Sequence, residues 1–143
     1  ACPGMDYWGF GTARSIRVAQ RISKRFSDLD HQLDIGGLKV KISGCINACG
    51  HQQVGHIGLL GVDRKGEEFY QMTLGGSADE NAAVGAVIGP AFASVDVVDA
   101  FETVIGIYLD HRESGELFID TYRRVGLNPF KSALYPEKIH AAA

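Results

Sequence analysis

No stretch of the 143 residues holds about 18 consecutive apolar positions, so no membrane-crossing helix is written into the chain. No signal-peptide pattern is visible at its start. Positive charge is not in excess. Fourteen Lys and Arg stand against 17 Asp and Glu, for a net charge of −3, which argues against a nucleic-acid-binding surface. Cysteine is scarce and odd in number: Cys2, Cys45 and Cys49. Three cysteines make a poor disulfide framework. Two of them sit close together in a glycine-rich loop, which fits metal chemistry and a reducing compartment. No Ser–His–Asp arrangement, phosphate loop or pair of catalytic carboxylates stands out. The Glu67-Glu68 and Asp110/Glu113 pairs read as surface charge. The chain opens Ala1-Cys2-Pro3 with no initiator Met, and we expect residues 1–143 to be one domain excised from a longer chain.

What is present suits a packed domain. Apolar residues make up 45% of the chain, and a domain of this size buries roughly 70% of its unfolded surface. Thr12 is placed to cap a helix over 12–29, with Ile16, Ala19, Ile22, Phe26 and Leu29 as its apolar stripe. Arg14, Arg17, Arg21, Lys24 and Arg25 make much of the rest of that helix a basic face, which reads as solvated, with an anion-binding role for one or two of them as the alternative. Residues 34–37 read as a loop. Leu38, Val40 and Ile42 then alternate with Lys39, Lys41 and Ser43, as in a strand with one buried face. It runs into Gly44-Cys45-Ile46-Asn47-Ala48-Cys49-Gly50. A hairpin follows, with strands at 57–62 and 67–74 and a turn at 63–66. Ser77 to Glu80 spells a capping box for a short helix. A long helix is expected from Ser94 or Asp96 to about Glu113, with Val98, Phe101, Ile105, Tyr108 and Leu109 inward. Further helices are expected over 116–125 and 128–134, Pro129 sitting in the first turn of the last. The order predicts an α+β fold (an α/β sandwich), with a small mixed sheet that includes a hairpin, covered by helices.

The cysteine loop carries the chemistry. Gly44, Ala48 and Gly50 let backbone approach a bulky inorganic group and aim N–H donors at it. Such donors stabilise thiolate and sulfide charge. The spacing of Cys45 and Cys49 also suits zinc, and His51 and His56 flank the loop as further ligands. As simple loop residues, both histidines would be solvated or hydrogen-bonded. Cys2 opens Cys2-Pro3-Gly4-Met5-Asp6-Tyr7-Trp8. With that first block the chain resembles the C-terminal, cluster-binding part of the sirohaem-dependent sulfite and nitrite reductases. Those enzymes carry Cys-x5-Cys, a helix and a strand, then Gly-Cys-x3-Cys-Gly. This chain reads ACPGMDYW and later GCINACGHQQVGHIG, and the blocks EEFYQMTLGG, FIDTYRRVG and NPFKSALY extend the likeness over essentially its whole length.

The resemblance implies that Cys2, Cys45 and Cys49 are ligands of a [4Fe–4S] cluster. Cys49 would also bridge to the sirohaem iron and so be the catalytic thiolate. Asn47 and nearby N–H groups would tune the cofactor, although a plain turn role suits Asn47 equally. It further implies multi-electron reduction of a small anion, sulfite to sulfide or nitrite to ammonia. The partners implied are the upstream half of the same enzyme and a ferredoxin or flavoprotein donor, with no nucleic acid and no membrane. The sequence departs from the pattern at Trp8, which stands where the second cysteine belongs. An indole N–H has no lone pair to offer iron. Three outcomes follow: a non-protein fourth ligand, a cluster short of one iron, or no cluster, with ring bulk favouring the last. The basic residues that grip cofactor and substrate in the family lie upstream, and Arg14 and Lys41 match no motif for that role. The fragment alone is therefore expected to be inactive. A cluster-free binding domain and a small zinc domain are the alternatives.

Overall fold

A computed structural model describes residues 1–2, 4–6, 9, 11–28 and 34–136. Among the described residues, four complete helices and a five-stranded sheet form the fold: α1 (Ser15–Arg25), β1 (Val40–Ser43), β2 (Ile57–Arg64), β3 (Glu67–Leu74), β4 (Ala86–Val87), β5 (Phe92–Ala93), α2 (Val97–His111), α3 (Phe118–Val125) and α4 (Asn128–Leu134). The sheet is mixed, as expected. β1 pairs with β2 in parallel, and β2 pairs antiparallel with β3. β4 and β5 both pair with the far side of β3, at Thr73–Leu74 and Phe69–Tyr70 respectively.

The hairpin turn is tighter than the sequence suggested. The strands run on to Arg64 and Glu67, leaving Lys65 and Gly66 at φ 55° and 84°. Two successive positive φ values match the right-handed twist of the flanking strands. Asp63 supports the turn by accepting the Gly66 N–H at 3.1 Å.

One face of the sheet is the core. Ile57 and Leu59 face Leu74 and Met72 across the hairpin, and Gly61 faces Tyr70. The apolar stripe of α1 differs from the expected one. Val18, Ile22 and Phe26 are buried, whereas Ile16 and Ala19 are half-buried. Phe26 meets Phe101 of α2 edge to face, with centroids 5.4 Å apart. The expected inner face of α2 is confirmed at Val98, Phe101, Ile105 and Tyr108, while Leu109 is half-buried and Val97, Ala100 and Val104 are added. Tyr108 donates to Ile35 O at 2.9 Å and lies 3.1 Å from Glu116 O. Phe118 contacts the rings of Tyr108, Tyr122 and Phe130, joining α2, α3 and α4.

Two expectations fail because a residue expected to cap a helix is held by other partners instead. Thr12 does not cap α1. Its hydroxyl faces Gly44 O at 2.8 Å and Gly61 O at 3.1 Å, and the helix begins at Ser15. Ser77 does not start a helix. It forms a two-way bridge with Ala83, and its Oγ accepts the Asp79 N–H at 3.3 Å. The segment then continues into β4 and β5, neither of which the pattern suggested. α1 closes at Arg25, so the expected helix was too long, and its expected end at Leu29 lies outside the described residues. α2 ends at His111 because Arg112 is extended.

Removing the ring at the helix junction should be costly. Phe118→Ala is expected to lower unfolding stability by about 3–5 kcal/mol with an unchanged denaturant slope, measured by urea titration.

Candidate functional site

Parallel strands cannot be joined by a tight turn, and residues 44–56 make the crossover from β1 to β2. The cysteine loop is the first half of that crossover. A 3₁₀ turn, Gln52–Val54, is the second half. The loop therefore sits at the C-terminal end of β1, held at both ends by the sheet.

Two glycines, Gly4 and Gly44, allow the N-terminal segment to reach it, and a third, Gly50, lets the loop fold back on β1. A Cβ on Gly44 would lie 2.5 Å from Gly4 Cα and 2.9 Å from Ala13 O. Gly4 has φ 55°, and a Cβ there would lie 2.2 Å from Ala13 O. A Cβ on Gly50 would lie 2.2 Å from Ile42 O. No other residue permits these approaches. Hydrogen bonds close the contact. Cys2 N–H donates to Ile42 O at 2.8 Å, and Met5 N–H to Ala13 O at 3.0 Å. Thr12 and Ala13 N–H both reach Gly44 O at 2.9 Å, and Ser15 Oγ donates to Cys2 O. The Gly44 N–H donates to Cys2 Sγ at 3.0 Å.

The three thiols differ in exposure. Cys45 is 6% exposed, Cys2 is half-buried and Cys49 is exposed. The loop between them is strained: Ala48 and His51 both hold positive φ, at 56° and 52°. Ala48 N–H bonds Cys45 O at 3.1 Å, and His51 N–H bonds Ala48 O at 2.7 Å. Gly50 N–H donates to Ser43 Oγ at 3.0 Å. Asn47 is exposed and meets the Cys49 thiol through its backbone carbonyl, 4.0 Å from the sulfur. The structure thus brings Cys2 onto the backbone of the loop that carries Cys45 and Cys49. Among the described residues, no three His, Cys, Asp or Glu side chains are drawn together closely enough to hold a metal ion. Trp8 lies outside the described residues.

The other candidates fare differently. His51 is exposed. His56 is buried, and its Nδ1 accepts the Lys39 N–H at 3.1 Å, so that nitrogen is taken. Burial, with Lys39 next, pushes its pKa below the ordinary value of 6.5. Its Nε2 is buried without a hydrogen-bond partner. Arg14 is exposed and offers its backbone N–H to Glu68, and Lys41 is half-buried beside Gly55. Sequence reasoning missed the clasp of Gly4, Thr12, Ala13 and Ser15. Ser15 is fully buried at the start of a basic helix, and that single polar core position was the available signal.

Residues 2–140 match the family described as nitrite and sulphite reductase 4Fe-4S domain. The chain belongs to that family. Among curated relatives, the sulfite reductase [NADPH] hemoprotein beta-component of Bacillus velezensis is 25% identical over 132 residues, covering 89% of this chain and 22% of that protein. The protein of the same name from Salmonella typhimurium is 30% identical over 119 residues, covering 79% and 20%. The chain therefore spans about a fifth of the length of these relatives. The Mycobacterium tuberculosis NirA protein superposes with TM-score 0.73 at 27% identity, over 90% of this chain and 25% of NirA. Dissimilatory sulfite reductase I superposes with TM-score 0.79 at 12% identity, covering 93% and 50%, which establishes likeness of fold.

Two outcomes follow from the site. Gly44→Ala should push the N-terminal segment off the loop, so that Cys2 reacts faster with a thiol reagent while Cys49, already exposed, reacts as before. The labelled peptides are read by mass spectrometry. The neutral form of His56 is the one favoured by folding. Its contribution is complete above the unfolded value near 6.5 and is lost as pH falls below it. Between about pH 7 and pH 5 the urea midpoint should fall more steeply in the wild type than in His56→Phe.

Proposed function

We propose that this chain is the cluster-side portion of a longer sirohaem-dependent reductase that converts sulfite to sulfide, or nitrite to ammonia, in the cytoplasm. The observation that supports it best is the meeting of two cysteine-bearing segments through glycine backbone, with an amide donor already on Cys2 Sγ at 3.0 Å. Soft thiol donors and N–H groups in close-packed backbone fit an iron–sulfur cluster.

In this reading Cys2, Cys45 and Cys49 hold the cluster. The gradient of exposure gives them different work. Cys45, shielded from solvent, faces the cluster alone. Cys49, exposed at the strained end of the loop, is free to share its sulfur with a second cofactor brought by the rest of the enzyme. Bound there, the cluster would store electrons beside a sirohaem iron that takes the substrate anion. This chain's own part is to hold sulfur charge with the Gly44 N–H, to keep Cys45 dry, and to fix the loop between β1 and β2. Electrons come from a ferredoxin or flavoprotein, and the cationic grip on the substrate comes from the upstream half. Alone, the chain should not turn over.

One observation favours a second reading. In the sequence Trp8 stands where the family's second cysteine belongs, and a relative that has given up its cluster would retain the fold as a binding domain. Iron, acid-labile sulfide and zinc, measured on protein purified without oxygen, separate the readings. Iron with sulfide is expected, and Trp8→Cys should raise the iron content per chain. If neither protein carries iron and sulfide under reconstitution, the cluster reading is wrong. Zinc as the sole metal would point to the small zinc domain.

A further inference from the structure

From residue 81 to residue 95 the chain carries no charged side chain, although charged residues are 22% of the whole. This run forms the outer edge of the sheet. β4 pairs with β3, and no described strand pairs with its other side. Both residues of β4 are exposed. Val84 is 74% exposed and Val87 49%. The segment is nonetheless firmly held. Gly85 N–H donates to Gln53 O at 2.7 Å, and Ile88 N–H donates to Met72 O at 3.0 Å. Ile88 is fully buried, and Arg123 Nη2 donates to Asn81 O at 3.0 Å. A fixed, uncharged edge with valines facing water lacks the lysines and other charges that normally protect such an edge.

We infer that β4 is the docking edge for an extended apolar segment of the same reductase polypeptide, lying outside residues 1–143. The guest would pair with the free backbone of β4 and bury Val84 and Val87. Two considerations select this occupant. The chain is about a fifth of the length of its curated relatives, so most of such a polypeptide lies outside it. A second copy of the chain is a poor candidate, because a two-residue strand buries far less than the roughly 1,200 Å² of a stable interface. A covalently attached segment needs no such area, since its effective concentration is already high. The Gly85–Gln53 bond ties this edge to the 3₁₀ turn that follows the cysteine loop, so docking would also brace the crossover.

The inference rests on the proposed longer polypeptide but not on the cluster. Hydrogen exchange of the longer polypeptide is compared with that of the 143-residue chain, each with and without Val84→Lys combined with Val87→Lys. The amides of β4 should exchange at least about tenfold more slowly in the longer protein. The double variant should remove that protection and lower the longer protein's Tm, while leaving the Tm of the short chain unchanged. Equal exchange of β4 in both settings overturns the inference. So does a concentration-dependent dimer of the short chain that the double variant dissolves, which would make a second copy the occupant. Absence of iron would sink the cluster reading and leave this readout as it stands. A reading frame with no reductase half beside this segment would overturn the polypeptide reading itself, and the inference with it.

Discussion

The arrangement depends on backbone meeting backbone at Gly4 and Gly44. A single added methyl at either position would collide with the other segment or with the carbonyl of Ala13. Because that contact is available, Gly44 can give its N–H to the Cys2 sulfur and its carbonyl to Thr12 and Ala13 at once. One residue thus anchors the N-terminal segment, the start of α1 and the cysteine loop. A side-chain clasp would be looser, since each rotamer fixed costs entropy that a backbone contact does not. The price is positional intolerance, which is why small residues crowd this corner.

The sheet supplies the second constraint. A parallel β1–β2 pair demands a crossover, and here it is short and built mostly without regular structure. Ala48 and His51 hold left-handed conformations within it, and the loop is pinned by Ser43 on one side and by the 3₁₀ turn on the other. A strained segment persists only when its surroundings over-determine it. The buried Cys45 and exposed Cys49 are two ends of that one held shape. The fold therefore presents thiols of different accessibility from a single loop, as a ligand set shared between an enclosed group and a group supplied from outside would require.

Much of this was legible in the residues. Alternation in 38–43, the hairpin with its turn at 63–66 and the helical pattern from Ser94 or Asp96 to about Glu113 each follow from a local rule, and the corresponding elements formed, the turn tighter and the helix shorter than expected. What escaped was whatever depended on distant partners. Thr12 and Ser77 look like helix caps because capping chemistry is local, yet each found a bond to another part of the chain or a bridge across a loop. β4 and β5 are two residues each and exist because β3 offers an edge, not because of their own sequence. At the site, cysteine spacing and flanking glycines pointed to the loop, but nothing in the spacing revealed that Gly4 and Ser15 would secure Cys2 against it. By type His56 suited either a zinc ligand or a hydrogen-bonded loop residue. Its burial and its bond to the Lys39 amide give it a structural task instead.

Membership of the nitrite and sulphite reductase 4Fe-4S domain family and the clasp at Gly44 support one central proposal: that the sulfurs of Cys2, Cys45 and Cys49 would share one inorganic group. The most direct measurement is a crystal structure of the anaerobically reconstituted chain, with anomalous scattering recorded at the iron edge. The account predicts iron density bounded by those three sulfurs, with the Gly44 N–H still aimed at Cys2. Iron-free density in a crystal of reconstituted protein, or iron held by other residues with Cys2 apart from it, would contradict it.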